Sequence, residues 1–218
     1  MSQERPTMHQ QVELERDLNY SGFIPDALIK QWFEDRYSTS KHLWTLYSVA
    51  RGLNATTMVE IGFGRSSFVL ARAAQENGGK LFSCDTRDFS YLLNETEKNV
   101  VHFHLGTSDE FFAGMKEGAD MIFLDFLGDR PKENFCKRQI ELAMKQIKQN
   151  GIIVIHDAFE PSFTLPRVLQ KMFRGLSGWI KNRGFSLTVL PYNYGLAIIR
   201  RESTSEYGSL TDQFLKKD

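Results

Sequence analysis

Val59-Glu60-Ile61-Gly62-Phe63-Gly64-Arg65-Ser66-Ser67 is the stretch from which the rest of this sequence can be read. The run from Thr57 to Ile61 is short and β-prone, and it stops at Gly62. Ser66 to Gln75 predicts a helix, with Ser66 as N-cap and Gly78-Gly79 closing it. A strand that passes through two glycines into a helix lets the backbone approach a ligand where a Cβ would clash. Glycines in such a turn also serve a purely steric purpose. Glu60 tips the reading toward a site, because a carboxylate near the end of a central strand is costly to bury without a partner.

Outward from this stretch, strands and helices alternate. Lys80 to Cys84, Val100 to Leu105, Met121 to Leu124 and Ile152 to Ile155 read as further strands. Pro131 to Gln149 reads as a long amphipathic helix ended by Asn150-Gly151. This spacing implies a parallel sheet with right-handed crossovers. After a helix from about Leu165 to Phe173 the alternation breaks. Phe185 to Leu190 and Tyr194 to Ile199 are separated only by Pro191-Tyr192-Asn193. A parallel crossover needs far more chain than that, so these two strands form an antiparallel hairpin. The expected fold is therefore α/β, a doubly wound sheet of seven strands, mostly parallel with a C-terminal antiparallel hairpin.

Residues 1–55 predict a helical cap on the same domain, built on Val12, Leu14, Leu18, Phe23, Ile24, Leu28 and Ile29 and on a helix from His42 to Leu53. Its aromatics, Trp32, Phe33, Tyr37, Trp44 and Tyr47, suit core packing, with a cover over the site or a homodimer surface as alternatives. Residues 56–200 form the ligand-binding domain and 201–218 a loosely held polar tail.

The composition narrows the function. Lys plus Arg equals Asp plus Glu, 27 against 27, so no basic field exists to hold nucleic acid or an anionic membrane. No apolar run approaches the roughly 20 residues of a membrane span. The polar N-terminus carries no secretory signal, which points to the cytoplasm. Cys84 and Cys136 belong to no CxxC pair and read as buried free thiols.

Acids and small polar residues mark the ends of the strands, where ligands bind in open α/β sheets. Asp85 ends the second strand about 20 residues after the glycine loop, placed to hydrogen-bond a ribose diol. Thr107 and Ser108 follow the third strand and suit an adenine edge, with Ser108 alternatively the cap of the next helix. Asp125 follows the fourth strand, and His156 with Asp157 ends the fifth. These acids should lie near one another over the reactive end of a ligand. The glycine loop lacks the third glycine of a dinucleotide fingerprint and fits a zwitterionic amino-acid ligand better than a pyrophosphate.

Glu60-Ile61-Gly62-Phe63-Gly64, Asp85, Gly106-Thr107-Ser108, Phe123-Leu124-Asp125 and Gly151 to Asp157, in this order, resemble the class I S-adenosylmethionine-dependent methyltransferases. The Rossmann-like order of strands with a terminal hairpin is also the arrangement of that family. Within it the similarity is to small-molecule O-methyltransferases, the macrocin O-methyltransferase and cephalosporin hydroxylase-like group, over about residues 40 to 200. The resemblance implies that Glu60, Gly62, Phe63, Gly64 and Ser66 serve the methionine part of the cofactor. It implies Asp85 for the ribose, Thr107 and Ser108 for the adenine, and Asp125 beside the reactive end. In metal-dependent members, acids matching Asp125 and Asp157 hold Mg²⁺ together with an Asn. Here that next residue is Ala158, so Asp129 or Glu160 would have to supply a further oxygen. The Asp-Gly-x-His run of macrocin-type members is also absent, since this chain reads Asp125-Phe126-Leu127-Gly128.

The expected reaction is methyl transfer to a small-molecule hydroxyl. His156 is the expected general base, because histidine titrates at about 6.5 in water. Asp157 would orient it or bind a cation, and Asp125 would bind a cation. Two rival readings are a cofactor-binding or structural protein of the same fold without turnover, and an NAD-dependent oxidoreductase.

Overall fold

The computed structural model describes residues 34, 38–125, 133–158, 176–190 and 195–202. The helices expected before residue 34 and over Leu165 to Phe173, the connection at 191–194 and the tail from 203 lie outside them. So do Trp32, Phe33, Tyr37, Asp129 and Glu160.

The elements are α1 (Ser38–Gly52), β1 (Thr57–Ile61), α2 (Arg65–Glu76), β2 (Lys80–Asp85), α3 (Glu95–Lys98), β3 (Val101–Leu105), α4 (Ser108–Gly114), β4 (Ala119–Leu124), α5 (Glu133–Gln146), β5 (Ile147–His156), β6 (Phe185–Leu190) and β7 (Leu196–Arg201). The sheet has seven strands in the order β3-β2-β1-β4-β5-β7-β6. β1 to β5 pair in parallel. β7 runs antiparallel to both β5 and β6, which makes β6–β7 the expected hairpin.

The period of two in the central strands fills both faces of this sheet. Val59, Ile61, Ile122, Leu124, Ile153 and Ile155 join Phe111 and Phe112 of α4 and Cys136 and Ile140 of α5 in one core. Met58, Met121, Phe123, Ile152 and Val154 join Leu46 of α1 and Phe68 and Leu70 of α2 in the other. Continuous apolar runs are what a sheet covered on both faces requires. Each such side chain, fully buried, contributes roughly 1.5–3 kcal/mol. Both cysteines are buried free thiols, as expected. Trp44, in contrast, is 38% exposed and does not serve the core. No helix among the described residues is long and apolar enough to cross a membrane.

The junction of α5 and β5 differs from the sequence reading. α5 stops at Gln146 rather than near Asn150, because Ile147 turns into the core and pairs with Ala119. The register then shifts, so that the next β4 partner pairs Met121 with Ile152. At the other end of β1, Asp120 fastens three strands. Its Oδ2 accepts from the amides of Thr56 and Thr57 at 3.0 and 2.9 Å, and its Oδ1 accepts from Lys148 Nζ at 2.8 Å.

The turn after β1 depends on glycine. Gly62 has φ +97°, and a Cβ there would lie 2.2 Å from the Asp125 carbonyl oxygen. Gly78 also has a positive φ, +66°, but open space around it. Alanine at either position meets the same kind of backbone strain, and only at Gly62 does it also collide. Gly62→Ala is therefore expected to cost about 1–3 kcal/mol more than Gly78→Ala in urea unfolding, the usual range for overpacking. Equal losses would show that the close approach to Asp125 relaxes without cost.

Candidate active site

The connection from β1 to α2 is only Gly62, Phe63 and Gly64, and both neighbouring strands hold it. The Gly62 amide donates to the Cys84 carbonyl at 2.9 Å, and the Asp125 amide donates to the Ile61 carbonyl at 2.9 Å. Under this loop Glu60 is completely buried. Its carboxylate accepts hydrogen bonds from Ser66 Oγ at 2.5 Å, from Ser83 Oγ at 2.8 Å and from Ser67 Oγ. The Ser67 hydroxyl in turn accepts from the Gly64 amide at 3.0 Å.

This arrangement corrects one sequence reading and places two further expected residues. Ser66 is not the N-cap; Gly64 takes that place, and Ser66 lies in the first turn with its hydroxyl committed to Glu60. Phe63 turns its ring into the core, 5.9 Å from Phe68, 5.9 Å from Phe89 and 5.6 Å from Phe103 between centroids. Glu60 itself points under the loop rather than into the open side, since a buried carboxylate needs all the donors it can gather. What the loop leaves partly exposed is the backbone of Gly62 and Gly64.

Asp85 ties the second strand to the loop. Its Oδ2 accepts from the Phe63 amide at 3.0 Å, its Oδ1 accepts from the Arg87 amide at 2.9 Å, and the side chain stays half-buried. Thr107 rather than Ser108 caps α4. It accepts from the Glu110 amide at 3.3 Å, while Glu110 Oε2 accepts from the Thr107 amide at 2.9 Å. Ser108 is the first helical residue and is half-buried.

The structure brings Asp125, His156 and Asp157 together. His156 Nδ1 lies 3.1 Å from Asp125 Oδ1, and His156 Nε2 lies 3.4 Å from Asp157 Oδ1. The imidazole is 2% exposed, whereas each carboxylate is 24% exposed. Asp157 takes a left-handed φ of +52°, which is uncommon outside glycine though best tolerated by Asn and Asp. Two rings pack against the imidazole, His42 edge-on at 5.2 Å and Phe123 at 6.3 Å. With a carboxylate at each nitrogen, His156 meets a ligand through the acids and not directly.

Four residues of this region escape a sequence reading. Ser67 and Ser83 complete the Glu60 cage, His42 backs His156, and buried Arg65 donates to Ser40, joining α2 to α1. Only Ser83 leaves a trace in the sequence, as a polar residue in the run Leu81-Phe82-Ser83-Cys84.

Taken together, the carboxyl ends of β1 to β5 carry half-exposed glycine backbone, the acids Asp85, Asp125 and Asp157, and the polar turn Thr107-Ser108. Strand order reverses between β1 and β4, the place where open α/β sheets bind ligands. Donors and acceptors of this kind suit a polar ligand lying across the strand ends.

Burial pushes the Glu60 carboxyl up from 4.5 to about 7, against the pull of its three serine hydroxyls and with a further rise from the Asp125 charge. Between those two values the folded protein holds a proton that the unfolded chain has lost. Stability is thus highest below about pH 4.5 and falls as pH rises to about 7. The loss is on the order of 3 kcal/mol. Glu60→Gln removes this titration, so its melting temperature should gain on wild type as pH rises from about 4.5 to 7. Parallel pH profiles for the two proteins would show that Glu60 does not titrate there.

Residues 59–158 match the family model described as a methyltransferase domain. No curated protein matches the sequence. Among solved structures, the SAH-bound Podospora anserina methyltransferase PaMTH1 is similar, with a TM-score of 0.59 at 15% identity, covering 93% of this chain and 100% of that one. The O-methyltransferase of Bacillus cereus in complex with SAH is similar as well, with a TM-score of 0.59 at 16% identity over 90% and 100% of the two chains. Residues 59–158 are thus similar to a methyltransferase domain, and the chain has the Rossmann-like fold that these solved structures share.

Proposed function

We propose that this protein transfers the methyl group of S-adenosylmethionine to a hydroxyl of a small molecule, as in the macrocin O-methyltransferase and cephalosporin hydroxylase-like group that its motifs resemble. The observation that carries the reading is the acidic rim: three half-exposed carboxylates, Asp85, Asp125 and Asp157, beside a two-glycine loop. A sulfonium cofactor is cationic at its reactive centre and gains from such a rim. The pyrophosphate of NAD is anionic and is repelled by it, which disfavours the oxidoreductase alternative.

In this reading Gly62 and Gly64 offer backbone to the methionine part, Asp85 accepts from the ribose hydroxyls, and Thr107 and Ser108 meet the adenine. Glu60 is a positioning residue, holding the first turn of α2 through Ser66 and Ser67. Methyl transfer from sulfur is an in-line displacement whose leaving group needs no proton. The protein must therefore orient the acceptor oxygen and dispose of its proton. Asp125 and Asp157 are the exposed members of their cluster, so they take the hydroxyl's hydrogen bond and aim its lone pair. His156 stands between them with a ring nitrogen toward each carboxylate, and it takes up the proton that the hydroxyl passes through them. Asp125 and Asp157 are also the residues that would hold Mg²⁺, which when bound lowers the pKa of a coordinated hydroxyl. A small-molecule acceptor with no nucleic-acid partner agrees with the balanced charge of the chain.

Calorimetric titration with S-adenosylmethionine, SAH and NAD tests the cofactor, and labelled methyl transfer to a panel of phenols, alcohols and carboxylic acids tests the acceptor. The sulfonium and SAH should bind, and NAD should not. Asp85→Ala should weaken SAH by about 10-fold or more, the worth of a charged hydrogen bond. His156→Gln should retain SAH and lose transfer. Absence of binding by either cofactor form at millimolar concentration would end this reading. SAH binding without transfer to any class of acceptor would leave a cofactor-binding protein instead.

A further inference from the structure

We propose that β6 is a self-association surface: a second copy of this chain pairs with it in antiparallel register, about a two-fold axis at Leu187. β6 is an outer strand of the sheet, and among the described residues only β7 pairs with it. Its sequence, Phe185-Ser186-Leu187-Thr188-Val189-Leu190, carries no charge, no proline and no glycine. Its register with β7 runs without a shift. Open edges are templates for another chain, and proteins ordinarily guard them with charges, prolines or bulges. β6 carries none of these guards.

Hydrogen-bond parity identifies the open groups. The Glu202 amide donates to the Gly184 carbonyl at 2.8 Å, so these two residues face each other as a hydrogen-bonded pair. Such pairs alternate along an antiparallel ladder, so Ser186, Thr188 and Leu190 turn their amides and carbonyls to β7. Phe185, Leu187 and Val189 turn theirs outward. A two-fold axis at Leu187 sets every one of these outward groups against another: Leu187 against its own copy, and Phe185 against the partner's Val189. Ser186 then stands opposite the partner's Thr188. An aromatic ring on a β-branched residue and a hydroxyl on a hydroxyl are cross-strand pairs that stabilise antiparallel sheets, and no like charges meet.

The opposite edge of the sheet is guarded. The Leu81 amide donates to the Val100 carbonyl and the Gly106 amide to the Asp85 carbonyl, each at 2.9 Å, which leaves Val101, Phe103 and Leu105 facing outward on β3. Pairing β3 with itself about Phe103 would set the exposed His102 against the partner's exposed His104, and imidazoles so placed repel when protonated. Association through β6 therefore covers both bare edges, leaves two guarded ones outside and closes at two copies. One pair of six-residue strands buries less than the roughly 1,200 Å² of a standard interface, so the dimer is of the weak, concentration-dependent class. β7 and β5 separate β6 from Asp125, and the strand ends that carry the acids stay open. The inference does not depend on the methyl-transfer reading.

Sedimentation of the full chain from micromolar to millimolar concentration tests it, with residue-resolved amide hydrogen exchange at both ends of that range. A monomer–dimer equilibrium is expected. In the dimer the amides of Phe185, Leu187 and Val189 should exchange several-fold more slowly, whereas those of Ser186, Thr188 and Leu190, already bonded to β7, should not change. Leu187→Pro removes an outward amide that β7 does not use, and Thr188→Lys places a charge at an exposed position on the shared edge. Each variant, folded by circular dichroism, should stay monomeric where the wild type dimerises, and Thr188→Lys decides the matter if the proline variant does not fold. A monomer at every concentration, a dimer whose exchange is unchanged at Phe185, Leu187 and Val189, or wild-type association by folded Thr188→Lys would each overturn the inference.

Discussion

The carboxylate of Glu60 sits in the interior of the sheet, and its burial costs several kcal/mol unless hydrogen bonds replace the lost water. Three serine hydroxyls from two elements supply that replacement. Their positions are not free. Ser83 has to stand opposite Glu60 in the parallel register of β1 and β2, as it does. Ser66 and Ser67 have to lie in the first turn of α2, which draws that turn down onto the end of β1. The three residues between strand and helix then have one path, across the Asp125 carbonyl, and only a residue without a Cβ passes there.

The same face of the sheet carries the consequences further. Counting by twos from Glu60 and its partner Phe123 leads to Asp125 on β4, and from Val154 to His156 on β5. All of these lie on the side covered by α1 and α2, where His42 packs against the His156 ring. The helix preceding the first strand thereby becomes a wall of the site. Charge is concentrated as well, since the Asp125 carboxylate raises the cost of ionising Glu60. A rim of this kind favours cations, whether a sulfonium or a metal ion, and it discourages phosphates.

The order of strands and the terminal hairpin were legible in the sequence. Alternating apolar runs and a three-residue gap before the last strand leave few topologies open. Asp85, Asp125 and Asp157 were legible as acids at strand ends, because a parallel sheet delivers every strand's carboxyl end to one edge. Local chemistry was less readable. Ser66 looks like a helix cap in the sequence because serine prefers that position. It lies two positions past the cap, held there by a carboxylate six residues away. α5 likewise shows no sequence reason to end at Gln146, and it ends there because Ile147 pairs with β4.

What the sequence determined by itself was periodicity: which segments are strands, which are helices, and which acids stand at the ends. These depend on residues close together in the chain. Tertiary structure alone decided which polar groups meet. Glu60 with Ser83, His42 with His156, and Asp125 with His156 are separated by 23, 114 and 31 positions (83 − 60, 156 − 42 and 156 − 125). Their contacts follow from strand register and from which face each helix covers. Neither quantity is written in any local pattern, and both are set by the requirement that buried charges and apolar side chains find partners at once.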